Sequence, residues 1–194
     1  LLSRAAFGRI KDLMRRSRAK FDRLVLPSPE GRLDVERLLY VPGGTKQVIL
    51  NGLGFHLDPG EILAVIGNSG AGKTTLGKIL VGSILTTSGN VRLDLMDIRN
   101  WDPRQLGECI GYVPQDVQLF PGTIKDNIAR MRDDATDAEI HRAAVLADVN
   151  DMIADLPHGY ETVVAADGSP LSGGQKQRVA LARAFFGQTR LLVL

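Results

Sequence analysis

The sequence predicts an α/β fold in which a largely parallel core sheet is joined by an antiparallel β layer and a helical subdomain. Three observations predict it. Residues 61–67 form a continuous apolar run of the buried-strand type, which passes without a gap into a glycine-rich turn and the helical pattern of residues 74–81. Strand-like and helix-like segments then alternate along the chain. Ahead of them, two strand-like segments flank the turn Pro42-Gly43-Gly44-Thr45.

Composition sets the frame for these elements. With 194 residues, 44% of them apolar and 24% charged, the chain is neither disordered nor fibrous. A single cysteine excludes an internal disulfide and favours a reducing compartment; Cys109 is expected as a buried strand thiol. No apolar run approaches the roughly 18 residues needed to cross a bilayer. The chain starts Leu1-Leu2-Ser3, without Met and without the order of a signal peptide, so a piece of a longer protein is expected.

The first element is an amphipathic helix. Phe7, Ile10, Met14, Ser17, Phe21 and Leu24 recur at spacings of three and four, with basic residues around them. Residues 1–26 carry eight basic and two acidic side chains, a net +6, so the +2 of the whole chain leaves −4 for the remainder. Such a segment suits an anionic surface, and it equally suits an ordinary solvated face. Pro27-Ser28-Pro29-Glu30-Gly31 reads as a linker, with a boundary near residue 28. Strands follow at 33–40 and 48–57, then the strand, turn and helix of 61–81. Residues 90–95 and 109–113 read as further strands, 136–147 and 148–154 as helices, and 174–186 as a longer helix. Trp101, beside Asp102-Pro103, is expected as a packed turn aromatic. His56, His141 and His158 show no metal-ligand spacing.

Gly67-Asn68-Ser69-Gly70-Ala71-Gly72-Lys73-Thr74 satisfies G-x-x-x-x-G-K-[ST], the phosphate-binding P-loop pattern, with Thr75 next in the helix. Glycines let the backbone curl around an anion, and the following helix presents its positive end to the same phosphates. Lys73 supplies a charge for the β and γ phosphates, and Thr74 a hydroxyl where Mg²⁺ sits. The preceding strand and following helix supply the context this pattern needs. No Asn is followed by Lys, so the Asn-Lys-x-Asp element of guanine readers is absent.

A second motif narrows the choice. Leu171-Ser172-Gly173-Gly174-Gln175, followed by Lys176-Gln177-Arg178, resembles the signature sequence of ATP-binding cassette (ABC) proteins. A hydroxyl and two glycines at a helix N-terminus make a second anion site. Tyr112-Val113-Pro114-Gln115-Asp116 looks like the ABC Q-loop, and Leu119-Phe120-Pro121-Gly122-Thr123-Ile124-Lys125-Asp126-Asn127-Ile128 resembles the segment that ABC exporters carry after it. The resemblance covers residues 30–194. It implies ATP and Mg²⁺ as ligands, with Lys73 and Gln115 in catalysis, Thr74 and Gln115 at the metal, and Gly67 to Thr75 on the phosphates. Ser172, Gly173, Gly174 and Gln175 would face the nucleotide of a second cassette paired head to tail, most simply an identical one.

Residues 88–94, 97–103 and 110–116 are most similar to bacterial type I secretion ATPase/permeases of the protease and lipase group. The resemblance then divides the chain into 1–28, the cytoplasmic end of a last transmembrane helix plus linker, and 29–194, an incomplete ATP-binding domain with a helical subdomain at about 116–172. It implies a place on the cytoplasmic face of the bacterial inner membrane, the chain's own transmembrane domain as partner, a periplasmic adaptor, an outer-membrane channel, and no nucleic acid. Two departures stand out. The adenine-stacking aromatic normally precedes the hairpin proline, where Val41 stands; Tyr40, one place earlier, is either its substitute or a core strand aromatic. Ala165-Ala166-Asp167-Gly168 replaces the Gly-Glu-Arg-Gly that exporters often carry toward the membrane domain.

Arg190-Leu191-Leu192-Val193-Leu194 matches the apolar strand of Walker B, after which the family carries its metal-linked Asp and catalytic Glu. The resemblance therefore reads the chain as C-terminally truncated and expects little hydrolysis from these residues alone. Two rival readings are a soluble ABC ATPase acting on nucleic acid or ribosomes, suggested by the +6 segment, and a non-catalytic nucleotide-binding module.

Overall fold

The computed structural model describes residues 26–194. The amphipathic pattern of Phe7 to Leu24 lies outside the described residues. Strands β1 (Leu33–Tyr40), β2 (Leu50–Leu57), β3 (Ser88–Leu93) and β4 (Met96–Asp97) form an antiparallel sheet in the order β2-β1-β3-β4. Its central strand alternates inward Leu33 and Val35 with outward polar residues, then shifts register at a bulge where Arg37 takes φ 45°. Leu33, Val35, Leu38, Leu50, Val91 and Leu93 meet Leu76, Ile79 and Leu80 of α1 (Lys73–Leu80) and the buried Trp101 in one core. Each such side chain contributes about 1.5–3 kcal/mol on leaving water.

Two short strands, β5 (Ile110–Tyr112) and β8 (Leu191–Val193), run parallel with Ile110 opposite Leu191 and Tyr112 opposite Val193. They lie between the two halves of the molecule. A Cβ on Gly77 of α1 would touch Val193 and Tyr112, and one on Gly111 would run into the carbonyl of Ala184 in α6 (Gly173–Phe185). Helix and strand thus meet there backbone to backbone.

A second core fills the helical portion. α3 (Ile124–Ile128), α4 (Asp137–Leu146) and α5 (Asn150–Ala154) pack Ile124, Ile128, Ile140, Ala144 and Ile153 against Val179 and Ala182 of α6. Thr123 and Thr136 open α3 and α4 with capping boxes closed by Asp126 and Glu139. A two-stranded pair, β6 (Gly122–Thr123) with β7 (Val163–Val164), closes this portion.

Three sequence expectations need correction. Residues 61–67 are not a buried strand: none pairs in a ladder, and Ile62 and Ile66 are 95% and 93% exposed. A strand is held by neighbours, and the described residues place none beside this one. Cys109 is buried as expected, but it ends a helix, α2 (Pro103–Cys109). That helix was missed although its signal stands in the sequence, Asp102 as N-cap and Pro103 in the first turn. The strand expected at 90–95 ends at Leu93, because Asp94 and Leu95 turn the chain with φ 49° and 69°.

The proline-rich stretch is tied down. The Asp94 carboxylate accepts hydrogen bonds from the N–H groups of Glu30 (2.5 Å), Gly31 (3.2 Å) and Arg32 (2.9 Å), and the Gln105 amide bonds both to the N–H and to the carbonyl of Leu26.

Candidate functional site

The glycine-rich loop enters α1 through Gly72, whose φ of 90° is left-handed. A side chain would be strained there, and its Cβ would stand 2.9 Å from Ile49 Cγ2 and 3.0 Å from Leu50 Cδ2. The loop is thereby pressed onto the start of β2. Gly70, with φ 81°, makes the other left-handed step, and the Ala71 N–H closes a turn onto the Asn68 carbonyl at 3.1 Å. Gly67 and Ser69 are exposed within this bend.

Lys73 is the first residue of α1. Its ammonium donates to the carbonyls of Gly67 (2.7 Å) and Asn68 (2.9 Å), so the charge lies over the loop. Thr74 is exposed and Thr75 half-buried one residue further on. First-turn N–H groups of a helix have no acceptor within it, and they carry the positive end of its dipole. A cation, the first-turn N–H groups of a helix and an exposed threonine lie together at this helix start, an arrangement that can hold a polyanion.

Of the other expected residues, Tyr40 and the strand that leads to Gln115 belong to the same core. Tyr40 ends β1 opposite Leu50, the residue that touches Gly72, and is half-buried against the first core. Gln115 is exposed on a bend three residues after β5. Tyr112 at the end of β5 packs one helical turn beyond Lys73, at Gly77, so Gln115 is within about 10 Å of chain from that contact. Strand carboxyl ends are where parallel sheets place their ligands.

Ser172, Gly173, Gly174 and Gln175 stand elsewhere, at the head of α6 on the second core. Ser172 Oγ accepts from the Gln175 N–H at 3.4 Å, and Gln175 Oε1 accepts from the Ser172 N–H at 2.8 Å. Both glycines are exposed with open space where a Cβ would be. The structure therefore brings Lys73, Thr74, Tyr40 and the strand to Gln115 onto one core and sets the Ser172 loop on another. Lys176, behind Ser172, donates to the Asp167 carbonyl at 2.7 Å and pins the Ala165-Ala166-Asp167-Gly168 segment to α6.

The donor set fits magnesium. Among the described residues no group of three His, Cys, Asp or Glu side chains could hold a metal ion. A Thr hydroxyl and a Gln carbonyl are hard oxygen donors of the kind Mg²⁺ takes together with phosphate oxygens and water. No helix among the described residues is long and apolar enough to cross a membrane.

Residues that the sequence reading passed over hold the site's frame. Ile49 and Leu50 support Gly72, and Asn127 and Arg130 lock the segment after Gln115 and the end of α6. Asn127 stood within a quoted motif. Nothing in the sequence marked Arg130.

Comparison with known proteins follows the same lines. A family model described as ABC transporter matches residues 50–194. The type I secretion system ATP-binding protein PrsD of Rhizobium meliloti is 42% identical over 192 residues, 99% of this chain and 33% of that protein. An ATP-dependent lipid A-core flippase of Chromobacterium violaceum is 38% identical over 87% of this chain and 29% of its own length. A multidrug efflux ATP-binding/permease protein of Mycobacterium tuberculosis is 42% identical over 86% and 14%. Among solved structures, a bacterial Atm1-family ABC exporter with ATP bound superposes with TM-score 0.78 and 37% identity over 89% of this chain and 30% of that one. The chain spans a third or less of the length of these relatives.

Proposed function

The chain belongs to the ABC transporter family and has its exporter-type cassette fold, and from that premise we propose that it is the ATP-hydrolysing part of a bacterial type I protein-secretion exporter. The observation that carries the reading is the Lys73 loop: a cation and a helix N-terminus facing an exposed, left-handed glycine turn. The Lys73 ammonium, released from the Gly67 and Asn68 carbonyls, pairs with the β and γ phosphates. The first-turn N–H groups of α1 hold the phosphate oxygens, and Tyr40 stacks on the adenine. Thr74 and Gln115 would hold Mg²⁺, which when bound neutralises charge between the β and γ phosphates. Gln115 also orients water at the γ phosphate. The Ser172 loop serves the nucleotide of a second chain, because α6 rests on a different core from α1.

The 192-residue match to a type I secretion ATP-binding protein supports protein as cargo. The lipid flippase and multidrug relatives share the same cassette. Partners on this reading are the chain's own transmembrane domain, an adaptor and an outer-membrane channel, with the cassette on the cytoplasmic face of the inner membrane.

Mg²⁺-dependent turnover by the full-length protein tests the reading. Lys73→Ala is expected to weaken ATP binding and reduce turnover about 100-fold or more, as loss of a preorganised charge at the reacting phosphate does. Loss of particular proteins from the culture medium of a Lys73→Ala strain supports secretion. An unchanged set of secreted proteins together with altered lipid or drug export rejects it.

A further inference from the structure

Arg130 follows α3 in a conformation that side chains avoid, φ 56°, with Met131 next at φ 58°. A left-handed residue other than glycine is strained, and the side chain's contacts offset that strain. Nε donates to the Arg183 carbonyl at 2.9 Å, Nη2 to the Ala184 carbonyl at 3.1 Å and the Thr189 hydroxyl at 3.4 Å, and Nη1 to the Gly107 carbonyl. Among the described residues these acceptors are all neutral. Arg183 and Ala184 belong to the last turn of α6, whose carbonyls lack intrahelical donors and carry the negative end of the dipole. Gly107 lies in α2, just before β5. Where α6 meets β5, at Gly111 and Ala184, the two backbones touch. Arg183 reinforces the joint from its other side: its guanidinium lies 5.7 Å from the Phe120 ring centre and donates to the Gln118 carbonyl at 3.1 Å.

We propose that Arg130 is a positioning residue for ATP turnover: it fixes the C-terminal end of α6 against β5, and so sets where Ser172 at the head of that helix stands relative to Gln115 beyond that strand. The inference rests on the ATPase reading above. A helix of 13 residues is about 20 Å long, so a tilt of about 3° at one end moves the other by about 1 Å. Misplacement by that distance costs up to about 100-fold in rate. The fork matters as well as the charge, because one ammonium cannot reach carbonyls in two segments in the planar geometry of a guanidinium.

The test is steady-state hydrolysis by the full-length transporter. Arg130→Met is expected to lower kcat about tenfold or more, with KM for ATP and equilibrium nucleotide binding within about twofold, since the Lys73 loop rests on the other core. Arg130→Lys, which keeps a cation at the helix end, recovers part of the loss. Unchanged kcat in both variants overturns the proposal, even if their Tm falls. So does weakened ATP binding at unchanged kcat, the behaviour of a damaged phosphate loop. If Arg130→Met does not fold, Arg130→Lys and Thr189→Val decide by the same criterion. Absence of MgATP turnover in the wild-type protein would instead remove the ATPase reading itself.

Discussion

Asn127 is fully buried and uses its whole amide: Nδ2 donates to the carbonyls of Phe120 (2.9 Å) and Thr123 (3.0 Å), and Oδ1 accepts from the Phe120 N–H (2.8 Å). These bonds stand in for a ladder that the turn from Leu119 to Thr123 does not have. Phe120 stays exposed under the Arg183 guanidinium because its backbone is held from below. Asn127→Ala strands the N–H and carbonyl of Phe120 and opens a small cavity. It is expected to destabilise the protein by about 2–3 kcal/mol, read as a lower denaturant midpoint at unchanged m-value. The half-buried Arg130 stands three residues on, and partial loss of solvent lowers its guanidinium below the usual arginine range.

The β1 and β2 pairing carries its own pH dependence. His56 Nδ1 lies 2.7 Å from the Asp34 carboxylate across the ladder, and Nε2 lies 2.9 Å from Asp58 just beyond β2. The hydrogen bonds that the imidazole donates to Asp34, and then to Asp58, hold it above its ordinary pKa, although the ring is open to solvent. A raised folded-state pKa stabilises the protein fully below the unfolded value of about 6.5 and loses that contribution as pH rises through the folded value. The Tm advantage of wild type over His56→Gln is therefore expected to be largest near pH 6 and to shrink as the pH rises above 7. A difference that is constant with pH would contradict this. Salt should reduce it, since His56 and Asp58 are exposed and Asp34 is only half-buried. Caps at Thr123, Thr136 and Ser172 were open to local reading, because each capping box closes within four residues.

Two cores set the working unit of the whole molecule. The Lys73 loop belongs to the β-sheet core and the Ser172 loop to the helical core, with the β5 and β8 pair between them. If each nucleotide needs both kinds of loop from different chains, variants defective in one loop each should complement. Co-expressed full-length Lys73→Ala and Ser172→Arg chains are expected to hydrolyse ATP faster than either variant alone, because each mixed pair contains one site with both loops intact. Equal rates in the mixture and the single variants would mean that each loop acts within its own chain. The α/β class, the glycine-rich turn before α1 and the helix that Ser172 caps were legible in the sequence, since glycine spacing, capping residues and apolar periodicity act over a few neighbouring residues. The 61–67 run shows where such signals stop: its composition is that of a buried strand, yet pairing and burial depend on neighbours distant in sequence, and among the described residues it has none. Only the tertiary structure decided that the two loops rest on separate cores, that Asp94 ties down residues 30–32, and that Arg130 joins the end of α6 to the approach of β5. Those contacts bridge 23 to 64 positions of chain, across which no local propensity reaches.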